Sequence, residues 1–288
     1  MFVAVLSLVS AYVIVNNLYD TYTRMLESNV KQAALDTDSY FQSVTNFTKS
    51  TAQRNEIVEA LTLGKTENVS RVLNTLCNSS AEIAGAILYG VDGRVFYSTG
   101  VGDVPTFDEM FNATELQSFF DGEAVSCVSI RNSAMPKVYN TYPYDEHNGI
   151  VSCVCKVYAG ESIVGYLFAD IFPSQLFANK LTIGYDSFNA IISSGNVLIA
   201  QDGDASAVDM RASLQYFSVT TPFNGSDSLT VFVSSGEFCL RCAIVIGVLV
   251  LADVLCLLIV WKVAKRIANR ITIPLDNLRI QMQNENLL

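Results

Sequence analysis

Residues 150–171, IVSCVCKVYAGESIVGYLFADI, read as two β-strands around a glycine turn. The residues alternate and are rich in β-branched and aromatic types, and Gly149 and Gly160 stand where the chain has to reverse. The same texture extends upstream through AVSCVSI and KVYNTYPY. AGAILYGVDGRVFYS (84–98) is a hairpin signal, with Asp92-Gly93 in the turn. Between these strands, DEMFNATELQSFFDG (108–122) is helical and closes on Gly122, and PSQLFANKL starts a short helix after Pro173. A smaller β set follows in FNAIISSGNVLIA, LQYFSVTTPF and SLTVFVSS, separated from the first by a break near 181–187.

Ahead of the strands lies a long helical pattern. Leu18, Tyr22, Met25, Leu26, Val30, Ala33, Tyr40, Phe41, Val44, Phe47, Ile57, Val58 and Leu61 recur at helical spacing over 17–62 without a proline. Gly64 stands where a C-terminal cap belongs, and a second helix is expected over about 66–78. The fold class expected is α+β, a long stalk helix carrying two antiparallel-sheet modules.

Half of the 288 residues are apolar and the mean hydropathy is +0.32, which directs attention to membrane segments. Residues 239–261, CLRCAIVIGVLVLADVLCLLIVW, are apolar apart from Arg241 and Asp253 and long enough to cross a bilayer. Residues 1–16 are nearly as apolar. With no Lys or Arg before Arg24 they lack the basic start of a signal peptide, and they are read as a transmembrane helix whose cytoplasmic start lies ahead of Met1. Residues 16–238 carry 25 acidic and 12 basic side chains, whereas 262–288 carry five basic and two acidic. Basic flanks mark the cytoplasmic end, so the tail is expected inside and the middle segment outside. An acidic outer domain does not suit nucleic acid or anionic lipid.

Four cysteines fall in the outer segment (Cys77, Cys127, Cys153, Cys155) and three in or at the second apolar helix (Cys239, Cys242, Cys256). A bridge from Cys127 to Cys153 or Cys155 and free buried thiols are both open readings. The Cys239-x-x-Cys242 spacing has no βαβ pattern after it and is not read as a redox motif.

After the second apolar run comes RITIPLDNLRIQMQ (270–283). Ile271, Leu275, Leu278 and Met282 are spaced four, three and four, a coiled-coil seam, and Pro274 interrupts the backbone ladder at its start. The membrane helix is expected to run through Lys265 and Arg266 and then break or kink.

The chain resembles the double Cache sensor domain, the extracytoplasmic PAS-like ligand-binding unit of bacterial receptors. The resemblance rests on ILYGVDGRVFYSTG, FFDGEAV, NTYPYDEHNGIVSCVCKVYAGESIVGYLFADI and the flanking apolar helices. It implies a transmembrane helix at 1–16 and a sensor domain at 17–236, with a distal module at about 80–181 and a proximal one at about 187–236. A second transmembrane helix follows at 239–261. Residues 262–288 resemble the start of a HAMP linker, cut before its second helix. The two modules are expected to be PAS-like, the protein to be a homodimer in the bacterial cell membrane, and the output domain, missing from this sequence, to be a histidine kinase. A chemoreceptor or a diguanylate cyclase output is the alternative. Enzymatic or adhesive ectodomains are the competing classes, without a catalytic constellation or repeats to support them.

The resemblance also implies a ligand pocket in the distal module. Tyr144 and Asp145 match the Pro-Tyr segment and Asp170 the end of the Gly-Tyr-Leu-Phe-Ala-Asp strand. Carboxylates there would hold an ammonium group of an amino acid, an amine or another small polar ligand, with Tyr139 and Tyr142 adding aromatic surface. Arg131 would pair a ligand carboxylate. The family's upstream Trp-Tyr pair is absent, because the single tryptophan is Trp261. Asp170 also suits a cap for the helix near Pro173, and the tyrosines suit sheet packing. Asp253, in mid-membrane, calls for a polar partner such as Ser7, Ser10 or Tyr12, or its dimer mate. With Pro274, Leu275 and Leu278 it is assigned to signal transmission. His147 sits in an acidic turn, Tyr-Asp-Glu-His-Asn-Gly, with no nucleophile motif or convergent ligand set, so no catalytic residue, metal or cofactor is expected. The Asn-x-Ser/Thr triplets at Asn46, Asn68, Asn78, Asn112 and Asn224 are compositional.

Overall fold

The computed structural model describes residues 2–102, 104–111, 114–131, 150–171, 176, 188–194, 197–200, 216–223, 227–272, 274, 275, 277, 279 and 280. The chain divides into two units. One is Met25–Ser234; the other joins Met1–Arg24 to Ser235–Leu288.

Helix α1 runs from Phe2 to Ala52 without interruption. Within the larger unit Leu26, Val30, Ala33, Ala34, Phe41 and Val44 are buried at three- and four-residue spacing. Thr37 and Thr48 share this stripe because their hydroxyls donate to the Ala33 and Val44 carbonyls, each at 2.8 Å. The helix does not continue to 62. Arg54 is extended (φ −69°, ψ 141°), and a second helix, α2 (Asn55–Leu63), starts beyond it, closed by Gly64 in the left-handed region (φ 72°). The bend turns Ile57, Ala60 and Leu61 onto the sheet, where all three are buried. Helix α3 (Val69–Cys77) buries Val69, Val72, Leu73 and Leu76.

Five strands form the first sheet: β1 (Ile83–Gly90), β2 (Val95–Tyr97), β3 (Ser126–Arg131), β4 (Ile150–Ala159) and β5 (Ser162–Ile171). Their order is β2-β1-β5-β4-β3, and every pairing is antiparallel. Two helical segments, α4 (Phe107–Phe111) and α5 (Thr114–Asp121), lie in the stretch the sequence reads as one helix, with residues 112–113 outside the described residues. Four strands form the second sheet, β6 (Phe188–Ser194), β7 (Val197–Ala200), β8 (Tyr216–Phe223) and β9 (Asp227–Ser234), in the order β7-β6-β9-β8. The mixed helix and antiparallel-sheet character matches the α+β expectation.

Helix α1 belongs to the core of both sheets. Its stripe clusters with Val151, Cys153, Cys155 and Leu167 of the first sheet and with Leu229, Val231 and Val233 of the second. Phe41 is the meeting point. Its ring lies 5.5 Å from that of Phe223, and its carbonyl accepts a thiol hydrogen bond from Cys153 at 3.9 Å. Cys155 donates in the same way to the Thr45 carbonyl at 3.8 Å. Burial pushes both thiols up to about 12.

All seven cysteines are free. The register explains why the outer bridge does not form. Cys127 pairs with Val154 and packs with the cluster on the opposite face of the sheet from Cys153 and Cys155. Being neutral thiols below about pH 12, Cys153 and Cys155 are expected to resist a thiol reagent at pH 8 in the native protein and to react once it is unfolded. Mass-spectrometric mapping of the labelled sites checks this, and rapid native labelling of either cysteine would contradict it.

The smaller unit pairs the start of α1 with α6 (Gly236–Ile267). Among the described residues one helix, Gly236–Arg270, is long and apolar enough to cross a membrane, with a mean hydropathy of 3.1 over an 18-residue window. Arg241, paired with Glu237 at 2.5 Å, and Lys262 bracket its apolar stretch. The residues from Cys242 to Trp261 extend about 30 Å, the thickness of a hydrocarbon core. Lys265 Nζ sits 5.3 Å from the centre of the Trp261 ring, an arrangement suited to an interface. Beyond Ile267 the helix widens into a π-helical turn, Ala268–Thr272, and Pro274 and Leu275 are helical and exposed, with Ile273, between the turn and Pro274, outside the described residues. Pro274 cannot donate to the preceding turn, and its ring presses on the carbonyl four residues back; a wider turn relieves that clash.

Candidate functional site

Strand alternation gives the first sheet two faces. Odd-numbered residues of β4 and β5 (Val151, Cys153, Cys155, Val157; Leu167, Ala169, Ile171) face the stalk-side core. Val154, Tyr166 and Phe168, of the other parity, face a second cluster, which α4 and α5 cover. At one end this second face is filled by aromatics. Phe107 stacks on Tyr166 (centroids 6.0 Å), Phe120 meets Tyr166 edge-on (4.9 Å), and Tyr89 meets Phe168 edge-on (5.4 Å). The Tyr89 hydroxyl donates to the Pro105 carbonyl at 3.1 Å. Burial, reinforced by Tyr158 and Asp121, raises the Tyr166 phenol above its ordinary value.

Lys156 lies on the same face and is 4% exposed. Its ammonium donates to the carbonyls of Gly122 (2.5 Å) and Phe120 (3.4 Å) at the C-terminal end of α5 and sits 5.1 Å from the centre of the Phe119 ring. A cation at a helix C-terminus is favourable, so Lys156 clamps α5 over the sheet.

Towards the other end of the strands the face becomes polar. Asp170 is 1% exposed, and its Oδ1 accepts a hydrogen bond from the Ser152 hydroxyl at 2.5 Å. Ser152 is its direct partner on β4, and Gly85 its partner on β1, beside a register shift between Ile83 and Gly85. One step along, Phe168 is flanked instead by Val154 and Ile87. The two strand neighbours of Asp170 are thus among the smallest side chains available. A buried carboxylate is costly unless held by hydrogen bonds or an opposite charge. An arrangement of this kind suits an ammonium group.

The sequence-derived residues fall out as follows. Asp170 is an interior strand residue at the centre of the polar patch. Arg131 closes β3 opposite Ile150, the strand end nearest that patch. Tyr139, Tyr142, Tyr144, Asp145 and His147 lie outside the described residues, as does Leu278. Asp253 accepts a hydrogen bond from Ser7 at 2.6 Å. Ser152 and Lys156 were not among the residues read from sequence. Their signal is parity: in IVSCVCKVY they are the polar members of the even-numbered set, on the face opposite the cysteines. Among the described residues no group of His, Cys, Asp and Glu is placed to hold a metal ion.

Solved structures share this architecture. The ligand-binding domain of the Pseudomonas fluorescens chemoreceptor CtaA, solved with L-serine, superposes with a TM-score of 0.54 at 11% identity, covering 75% of this chain and 99% of that domain. The same domain with L-isoleucine gives 0.53 at 11% identity, covering 77% and 96%. The chain has the fold of a chemoreceptor sensory domain. The sensory domain of the Campylobacter jejuni chemoreceptor CcmL gives 0.50 at 15% identity, again covering 77% of this chain and 96% of that one. No family model matches the sequence, and no curated protein matches it.

Proposed function

We propose that this chain is the input half of a transmembrane receptor that senses a small extracellular molecule bearing an ammonium group, an amino acid or an amine. Asp170 receives the ammonium; Arg131 pairs a carboxylate if the ligand has one; Tyr139, Tyr142, Tyr144 and Asp145 close the site. The observation that carries this reading is the buried Asp170–Ser152 pair in the fold of domains solved with amino acids bound. The first sheet belongs to a distal PAS-like module (about 80–181) and the second to a proximal one (about 187–236). Residues 1–16 and 239–261 cross the bacterial cell membrane, with 17–236 outside and the C-terminus inside. Residues 262–288 begin a HAMP linker, through which a homodimer passes the signal to an output domain. The seam at Leu275 and Leu278 favours a histidine kinase, and the two chemoreceptors that share the fold favour a chemotaxis output.

A thermal-shift screen of the full chain in detergent, against amino acids, amines and carboxylates, tests the site. An ammonium-bearing compound is expected to raise the melting temperature, and Asp170→Asn to weaken its binding about 10- to 100-fold, the worth of a charged hydrogen bond. Stabilisation by carboxylates alone, or an unchanged Kd in the variant, would refute it. Reporter fusions at 288 and at mid-chain test the topology: a signal from the same side of the membrane at both would overturn it.

A further inference from the structure

The two helices of the smaller unit meet along an apolar seam with one polar contact in it. Ser7 is bonded to Asp253 at 2.6 Å, and at the other end the Tyr22 ring lies 5.5 Å from Phe238. The same number of residues separates Ser7 from Tyr22 as separates Phe238 from Asp253, so an antiparallel pair keeps step between these contacts. The shielding follows suit. On α1 the covered positions include Ser7, Ala11, Val15, Leu18 and Tyr22; on α6 they are Phe238, Cys242, Val245, Leu249 and Asp253, while most positions between them are exposed. The register sets Leu18 opposite Cys242 and Val15 opposite Val245. An apolar seam alone discriminates poorly between registers a helical turn apart, because one aliphatic residue replaces another. A carboxylate in hydrocarbon discriminates strongly, because away from a donor it is costly.

A second donor stands one turn along. Ser10 is three residues from Ser7 and also half-covered. If α6 slides by one turn, about 5 Å, towards the sensor domain, Asp253 leaves Ser7 and comes level with Ser10. Tyr22 then comes within one residue of the level of Cys242, and Val15 within one residue of Leu249, so these seam positions stay apolar.

We propose that Ser7 and Ser10 are two successive stops for Asp253, giving the helix pair two discrete longitudinal registers, of which the Ser7 register is the one seen here. That the pair lies in a bilayer rests on the receptor reading above; the register rests on the contacts themselves.

Disulfide trapping in native membranes tests it, with Cys242 as the internal partner and Cys239 and Cys256 replaced by serine. Leu18→Cys is expected to cross-link to Cys242 within one chain, and Tyr22→Cys to do so poorly. Adding Ser7→Ala is expected to reverse this, lowering the Leu18→Cys cross-link and raising the Tyr22→Cys cross-link at least threefold. Ser10→Ala is expected to leave the first pattern intact, and Asp253→Leu to let both pairs form. Cross-links only between chains, or a pattern indifferent to Ser7→Ala and Asp253→Leu alike, would overturn the proposal. Because no ligand is added, this result is independent of what the sensor domain binds.

Discussion

Gly165→Ala is expected to cost about 3 kcal/mol or more, the upper range for forcing a methyl group into a packed core. A Cβ at this position would lie 2.3 Å from the Tyr89 carbonyl oxygen and 2.5 Å from Leu61 Cδ1. The first of these is backbone of the neighbouring strand and cannot swing away. Gly165 pairs across the sheet with Gly90, where a Cβ would meet Leu61 at 3.1 Å, so the two glycines make the hollow into which α2 lowers Leu61. Gly160→Ala is the internal comparison. That residue has φ 65° with open space around it, so its cost is limited to backbone strain of about 1 kcal/mol. Chemical denaturation of both variants checks the ranking; equal midpoints would show that β1, β5 and α2 are not so closely packed.

The second large effect is expected at Phe41. Truncation to alanine should cost about 3–5 kcal/mol, as for other buried phenylalanines. The residue is 1% exposed and serves two sheets at once, through its carbonyl to Cys153 and its ring to Phe223. Hydrogen exchange on Phe41→Ala is expected to show faster exchange in both β4 and β8 and little change in β2. Loss of protection in one sheet only would mean that α1 does not bridge them. Phe41→Leu, closer in volume, should recover most of the stability.

Alternation in residues 150–171 was enough to find the sheet and to put Asp170 at a strand end, because period-two patterning survives without tertiary information. Its partner was not legible. Ser152 comes beside it only through the β4–β5 register, which a turn glycine suggests but does not fix. The cysteines show the same limit from the other side: proximity in sequence suggested a bridge, and the pairing of Cys127 with Val154 put the sulfurs on opposite faces. The bend at Arg54 left no trace, since no glycine or proline marks it; it arises from the gain in burying Leu61. Asp253 announced its need for a donor, and the register of two helices chose Ser7 from three candidates.

The π-helical turn at Ala268–Thr272 acts as a phase adapter. It spends about one more residue per revolution than an α-turn, so the helical residues Pro274 and Leu275 beyond it are rotated by about 100° relative to an unbroken helix. The azimuth at which α6 meets its neighbour is therefore decoupled from the azimuth at which Leu275 points. Excising a single residue there would re-gear everything that follows without touching either packing surface.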